Sequence, residues 1–396
     1  MMTVRPYLAF LTVVAIHSIA TSGAEALLPF YMKFLGASTA LAGLPFAMNS
    51  LSRFFTDPLA GAASDRLGSK WFLLLACLLG ALFSLLAGAT SQLAIFLALW
   101  AFVGASESMF ALSIRKIAFE NAPPGREGRA VGNVTTLYGI GNVVGPPIAG
   151  SLGSRLGTQV LFLMYGAPLL LCAALSWLYP PGGSQPKPIQ QAERRSFFRE
   201  GRDLFKSRLF WVACLAMFFM FFARWGGLKV AFPLFAVEER GLSIADVGSI
   251  LGVAGGLDML GRYLAGRCSD RWGARNAVAW GLFASALGFT AIIFMSGYAG
   301  LLTAACGMAL AFGFLNVSST TVALEAAGNN QGGLALGLAR WFGSMGSTTG
   351  PFLIALLAET LGYGIVFPLV GLLAIGLVAY VRVLLRSLLA VSGTVG

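Results

Sequence analysis

Apolar runs of bilayer-crossing length alternate with short polar interruptions along almost the whole chain. A membrane-spanning helix needs about 20 mostly apolar residues, and twelve stretches meet that requirement, at 7–31, 39–60, 71–91, 93–116, 129–152, 157–179, 209–235, 243–265, 276–296, 299–324, 333–357 and 362–386. One sizeable polar stretch, Pro180 to Arg208, divides six of them from six. The pattern predicts an N-terminal six-helix bundle over 1–180, a linker over 181–208 and a C-terminal six-helix bundle over 209–396. Within the linker, Phe197, Phe198, Leu204 and Phe205 lie among the basic residues from Arg194 to Arg208. That mixture suits an amphipathic helix on an anionic leaflet, whose simplest role is a tether between the bundles.

Two unrelated motifs repeat at one offset. Gly61, Asp65, Arg66, Gly68 and Lys70 recur as Gly266, Asp270, Arg271, Gly273 and Arg275, 205 positions later. Gly132, Gly141, Gly145 and Pro146 recur as Gly337, Gly346, Gly350 and Pro351 at the same distance, and Gly150 extends the first copy. Agreement of two motifs on one period marks an internal duplication. The expected fold is therefore an all-α polytopic membrane protein with twelve transmembrane helices in two pseudo-symmetric six-helix bundles.

Composition agrees with that class. The 396 residues are 57% hydrophobic and 11% charged, a balance foreign to a water-soluble domain. The net charge of +11 would suit nucleic acid, but Lys and Arg concentrate in alternate loops, among them Arg66 and Lys70, Arg115 to Arg129, Lys187 to Arg208, and Arg267 to Arg275. By the positive-inside rule this places both termini and the middle loop in the cytoplasm, with the lipid bilayer and not nucleic acid as the partner. The five cysteines, at 77, 172, 214, 268 and 306, show no CxxC spacing, so neither a disulfide framework nor a metal site is expected. The first apolar run lacks a small-residue cleavage site and reads as a retained helix.

Charges inside a bilayer cost ~2.5 to 3.5 kcal/mol each at a helix centre on insertion scales, so the few present call for a role. Arg53 with Asp57, and Asp258 with Arg262, are spaced i, i+4 at equivalent repeat positions with signs exchanged. Such pairs neutralise locally and read as structural bridges or gates. Arg340 shares the depth of Asp57 and is a candidate partner across the two halves. Glu107 lies mid-helix with no basic residue within a turn, a candidate carrier of a coupling proton or a carboxyl hydrogen-bonded to a neighbouring helix. Glu25 and the single histidine, His17, are eight residues apart and share one helix face, as a proton relay or as a core histidine with an interfacial carboxylate. Arg224, Trp225 and Lys229 put positive charge in the second half, with Arg224 either contacting a substrate carboxylate or phosphate or bridging to a first-half acid. An amphipathic, anionic or zwitterionic substrate would suit Arg224, Trp225, Lys229 and Glu107.

Twelve spans, a basic middle loop and the Gly61-to-Lys70 motif after the second helix of each half resemble the major facilitator superfamily over nearly the whole chain. The resemblance implies a secondary transporter that works by alternating access, with the bundles rocking about a site near the midplane. It makes Asp65, Arg66, Lys70, Asp270, Arg271 and Arg275 a charge cluster that forms and breaks as the halves move. The Gly132-to-Gly150 pattern is similar to one carried most often by proton-driven exporters, and it is equally a device for packing and bending. Ala149 stands where that pattern prefers Gly, and Trp100 replaces the family's usual arginine four residues before Gly104. That replacement shifts proton handling onto Glu107 and Arg224.

No Walker motif, metal-ligand cluster or catalytic constellation accompanies these features. The expectation is a monomeric, non-enzymatic, cofactor-free transporter of the inner (plasma) membrane, moving a small organic compound by proton-coupled efflux. A proton symporter importing an organic anion is the alternative.

Overall fold

In lipid every backbone N–H and C=O must find its partner within the chain, which leaves helices as the economical way to use these apolar runs. The computed structural model describes residues 4–123, 127–180, 204–327 and 332–392, and these are helical apart from short turns. The first series comprises α1 (Val4–Phe34), the short α2 (Thr39–Ala42), α3 (Leu44–Leu67), α4 (Ser69–Gly88), α5 (Leu93–Glu120), α6 (Glu127–Leu156) and α7 (Val160–Leu178). The second begins with α8 (Arg208–Phe222), which runs through a π-helical stretch (Ala223–Ala231) into α9 (Phe232–Glu238) as one rod. It continues with α10 (Ile244–Trp272), α11 (Ala274–Ala291), α12 (Gly297–Ala327), α13 (Gly332–Leu361) and α14 (Tyr363–Ser392). Counting the rod once and leaving out α2, twelve long helical segments are present among the described residues. Nine of them are long and apolar enough to cross a membrane on composition alone. The other three are α3, α6 and α13, which carry charged or glycine-rich motifs. Of the linker expected over 181–208, residues 181–203 lie outside the described residues, and with them most of the amphipathic helix expected from Arg194 to Arg208.

The chain divides into two compact units, Met1–Gln190 with Gly241–Gly252, and Gln191–Arg240 with Val253–Gly396. In the first, α1 packs along α6 and α7, α4 lies against α5 and α7, and α3 lies against α5. In the second, α8 packs along α13 as α1 does along α6, and α11 lies against α12 and α14 as α4 does against α5 and α7. The turns repeat as well. Gly68 and Gly273 cap α3 and α10 with φ/ψ of 79°/146° and 81°/142°. Gly157 and Gly362 likewise share a positive φ, at 85° and 81°. This backbone region disfavours any residue with a Cβ, so glycine at the same register in both copies preserves the same reversal of the chain.

Large apolar side chains remain on the periphery, for example Leu78 and Leu82 at 50% exposure and Leu372 at 62%. Such surfaces are sites of aggregation in water and the normal outer face in lipid. Inside, glycines bring helices to backbone contact. A Cβ on Gly145 would lie 2.6 Å from Ile19 O and 2.8 Å from Gly23 N, and one on Gly350 would lie 2.4 Å from Phe222 O. Close approach of this kind supplies the dispersion contacts that hold membrane helices together where no hydrophobic drive exists between them.

Candidate functional site

In the first unit the polar centre is built around α5. Gly104 lacks a side chain where a Cβ would stand 2.8 Å from both Cα and O of Asn49, so α3 approaches closely there. One turn on, Glu107 is 7% exposed, and its Oε2 accepts from Asn49 Nδ2 at 3.0 Å. Its Oε1 accepts from the Tyr165 hydroxyl of α7 at 3.1 Å. Arg53 on α3 and Glu25 on α1 lie within electrostatic reach of the carboxylate. His17 of α1 stacks on Phe110 at 3.6 Å between centroids, with the rings of Tyr138 and Tyr165 edge-on at 6.1 and 6.4 Å. Its Nδ1 is buried without a hydrogen-bond partner among the described residues. Tyr165 thus touches Glu107 through its hydroxyl and His17 through its ring. Trp100 is buried and extends the aromatic wall, lying against Phe96 and Tyr165.

Arg53 and Asp57 have different surroundings although one turn separates them. Asp57 accepts a close hydrogen bond from Ser108 Oγ, next in sequence to Glu107, while Arg53 lies within reach of His17 and Glu107. Asn49, Tyr165 and Ser108 are therefore partners that the sequence reading missed. Asn49, four residues before Arg53, carried a weak signal as an amide among apolar neighbours. Tyr165 carried none before the fold set α7 beside α5.

In the second unit Asp258 is the hub. Its carboxylate receives Arg224 Nη1 at 2.8 Å on Oδ1 and Arg262 Nη2 at 2.8 Å on Oδ2. Arg262 Nε at 3.1 Å and Arg224 Nη2 at 3.4 Å complete the fork on Oδ2. Reading along the helix pairs Asp258 with Arg262 alone, and the fold adds Arg224 from 34 residues away. Glycines again set the geometry: a Cβ on Gly313 would stand 2.0 Å from Asp258 O, and one on Gly261 would stand 2.2 Å from Leu310 O. Arg224, Trp225 and Lys229 all fall in the π-helical stretch, where the widened turn alters which side chains share a face. Such stretches occur often at functional sites. Trp225 and Lys229 are both half-buried.

The remaining charges are distributed near helix ends. The side chains of Asp65 and Arg66 lie outside the described residues. Lys70 Nζ lies 5.0 Å from the centroid of Trp71 and 5.6 Å from that of Trp177. Its repeat counterpart Arg275 pairs with Glu325 at 3.5 Å, while Asp270, Arg271 and Arg340 are exposed. Along the glycine motif, Gly141, Gly145, Gly346 and Gly350 make backbone or side-chain contact across helices, and Gly150 meets Ile244 O and Gly248. Pro146 and Pro351 are buried inside their helices. Gly132 and Gly337, by contrast, face open space.

Duplicated six-helix bundles with charged groups held in their interiors define a polytopic membrane protein of the transporter class. The family model of the Major Facilitator Superfamily matches residues 10–339 and, in a second match, 259–392. The chain belongs to that family and is a secondary transporter, not an enzyme. Multidrug resistance protein 2 of Bacillus subtilis (strain 168) is 25% identical over 337 residues, 84% of this chain and 83% of that protein. The hexuronate transporter of the same organism is 24% identical over 371 residues, 88% of this chain and 86% of that protein. The solved nucleoside transporter NupG shares the fold, with a TM-score of 0.80 over 97% of this chain and 100% of that one at 15% identity.

Proposed function

We propose that this transporter exports a small amphipathic compound, anionic or zwitterionic, in exchange for protons, from an inner (plasma) membrane with both termini in the cytoplasm. The observation that carries the proton reading is Glu107, an ionisable group buried mid-helix and held by Asn49 and Tyr165. A packing hydrogen bond needs only Gln or Ser there, whereas a carboxylate at a helix centre costs ~2.5 to 3.5 kcal/mol and is retained for proton exchange. Glu25 and His17, within the same polar centre, are its relay. Likeness to multidrug resistance protein 2 supports export. Two guanidiniums against one carboxylate at Asp258 support a substrate with an anionic group. That same excess of positive charge, with the likeness to a hexuronate transporter, favours proton-coupled import of an organic anion as the second reading.

The test is proton flux in liposomes loaded with a pH-sensitive dye, across organic cations, anions and zwitterions, for wild type and Glu107→Gln. Substrate-driven flux that is lost in the variant is expected, and its sign separates antiport from symport. Equal flux in the two proteins would make Glu107 structural and overturn the assignment.

A further inference from the structure

The hub in the second unit has an unusual charge balance. Arg224 and Arg262 each meet Asp258, and among the described residues neither guanidinium contacts another acid. Among the described residues the other acids of that unit, Glu238, Glu239, Asp270, Glu325 and Glu359, lie near helix ends, where Glu238 accepts from the Tyr363 hydroxyl and Glu325 pairs with Arg275. These three side chains thus set two positive charges against one negative within membrane-spanning segments, where charge is costly. The side chains differ in access. Arg224 and Arg262 keep 16% and 35% exposure, while Asp258 keeps 5%. The carboxylate is therefore enclosed and the guanidiniums are reachable.

Asp258 also shows how a ligand would sit. Arg224 spans both of its oxygens, at 2.8 and 3.4 Å, the fork geometry in which arginine recognises a planar carboxylate, while Arg262 closes on Oδ2 at 2.8 and 3.1 Å. Its backbone is held by the close approach of Gly313, so a change of partner is a side-chain movement and leaves α10 in place. We propose that Arg224 and Arg262 form a binding site for the carboxylate of an organic anion, and that Asp258 is the resident counter-ion this anion displaces. That the occupant is a transported substrate rests on the function proposed above, whereas the binding chemistry is open to test without transport.

The test is calorimetric titration of the full-length protein in detergent with benzoate, and with benzamide as a neutral match of the same shape. Benzoate should bind and benzamide should not. Arg224→Gln and Arg262→Gln should each weaken benzoate about tenfold or more, the scale of a lost charge-assisted fork. Asp258→Asn removes the competing carboxylate and should tighten benzoate by about tenfold. Because that variant accumulates unpaired positive charge, the double change Asp258→Asn with Arg262→Gln is measured beside it. It keeps the net charge of the wild type and should regain the binding lost in Arg262→Gln. Absence of benzoate binding, equal binding of benzamide, arginine variants that bind as wild type, or a double variant that regains nothing would each overturn the site. Arginine-dependent benzoate binding in a protein that moves no protons would retain the site and remove the proton reading. Proton-coupled flux of cations with benzoate binding insensitive to Arg224 would do the reverse.

Discussion

Glu107 depends on one glycine and two donors. Gly104→Ala would push a methyl group against Asn49 Cα and O, both backbone atoms 2.8 Å away, so α3 must move and the Asn49 hydrogen bond must lengthen. A hydrogen bond to a charged group contributes about 1.5 to 3 kcal/mol. Gly104→Ala is expected to lose that much in thermal unfolding and to reduce proton flux with it. Tyr165→Phe removes only the hydroxyl and keeps the ring against Trp100 and His17. It should likewise cost about 1.5 to 3 kcal/mol, with flux impaired in a folded protein; full flux in that variant would show that the hydroxyl has no part in coupling. Glu107 itself was legible in the sequence because a carboxylate in an apolar run stands out. Its partners were not, since they lie 58 residues away on either side along the chain.

Among elements, the repeated glycine pattern separates into two kinds of position. Gly145 and Gly350 meet backbone atoms of the neighbouring helix, so a methyl group at either forces α1 or α8 away. Overpacking of this kind typically costs about 1 to 3 kcal/mol. Gly132 and Gly337 have nothing within 4 Å, and alanine there should be neutral or slightly stabilising through its helix propensity. Melting temperatures of the four Gly→Ala variants in one detergent check the contrast, and equal losses at all four would contradict it. Spacing alone ranked these glycines alike, because a motif records which residues recur and not which of them face a neighbour. The π-helical stretch in the α8 to α9 rod was likewise invisible along the chain. Its Gly226 and Gly227 sit against Gly350 O and the Phe289 ring, contacts that exist only once the bundle has closed around them.

At the scale of the molecule, lipid replaces water as the solvent for the outer surface. Leu372 lies near the middle of the apolar part of α14 and is 62% exposed. Leu372→Arg should therefore cost ~2.5 to 3.5 kcal/mol of insertion, seen as a lower membrane-integrated fraction on expression; unchanged integration would mean that this face is covered by protein. The sequence by itself determined the all-α membrane class, the twelve spans, the duplication and the family, because hydrophobic length and a fixed repeat are properties read along one chain. Tertiary structure decided the rest. It joined Arg224 to Asp258, aimed Asn49 and Tyr165 at Glu107, and turned Lys70 to the Trp71 and Trp177 rings while its repeat counterpart Arg275 pairs with Glu325. In a medium that offers few polar partners, a buried charge takes whichever group packing places within reach. That choice depends on helix contacts between residues far apart in the sequence, and so on the folded bundle.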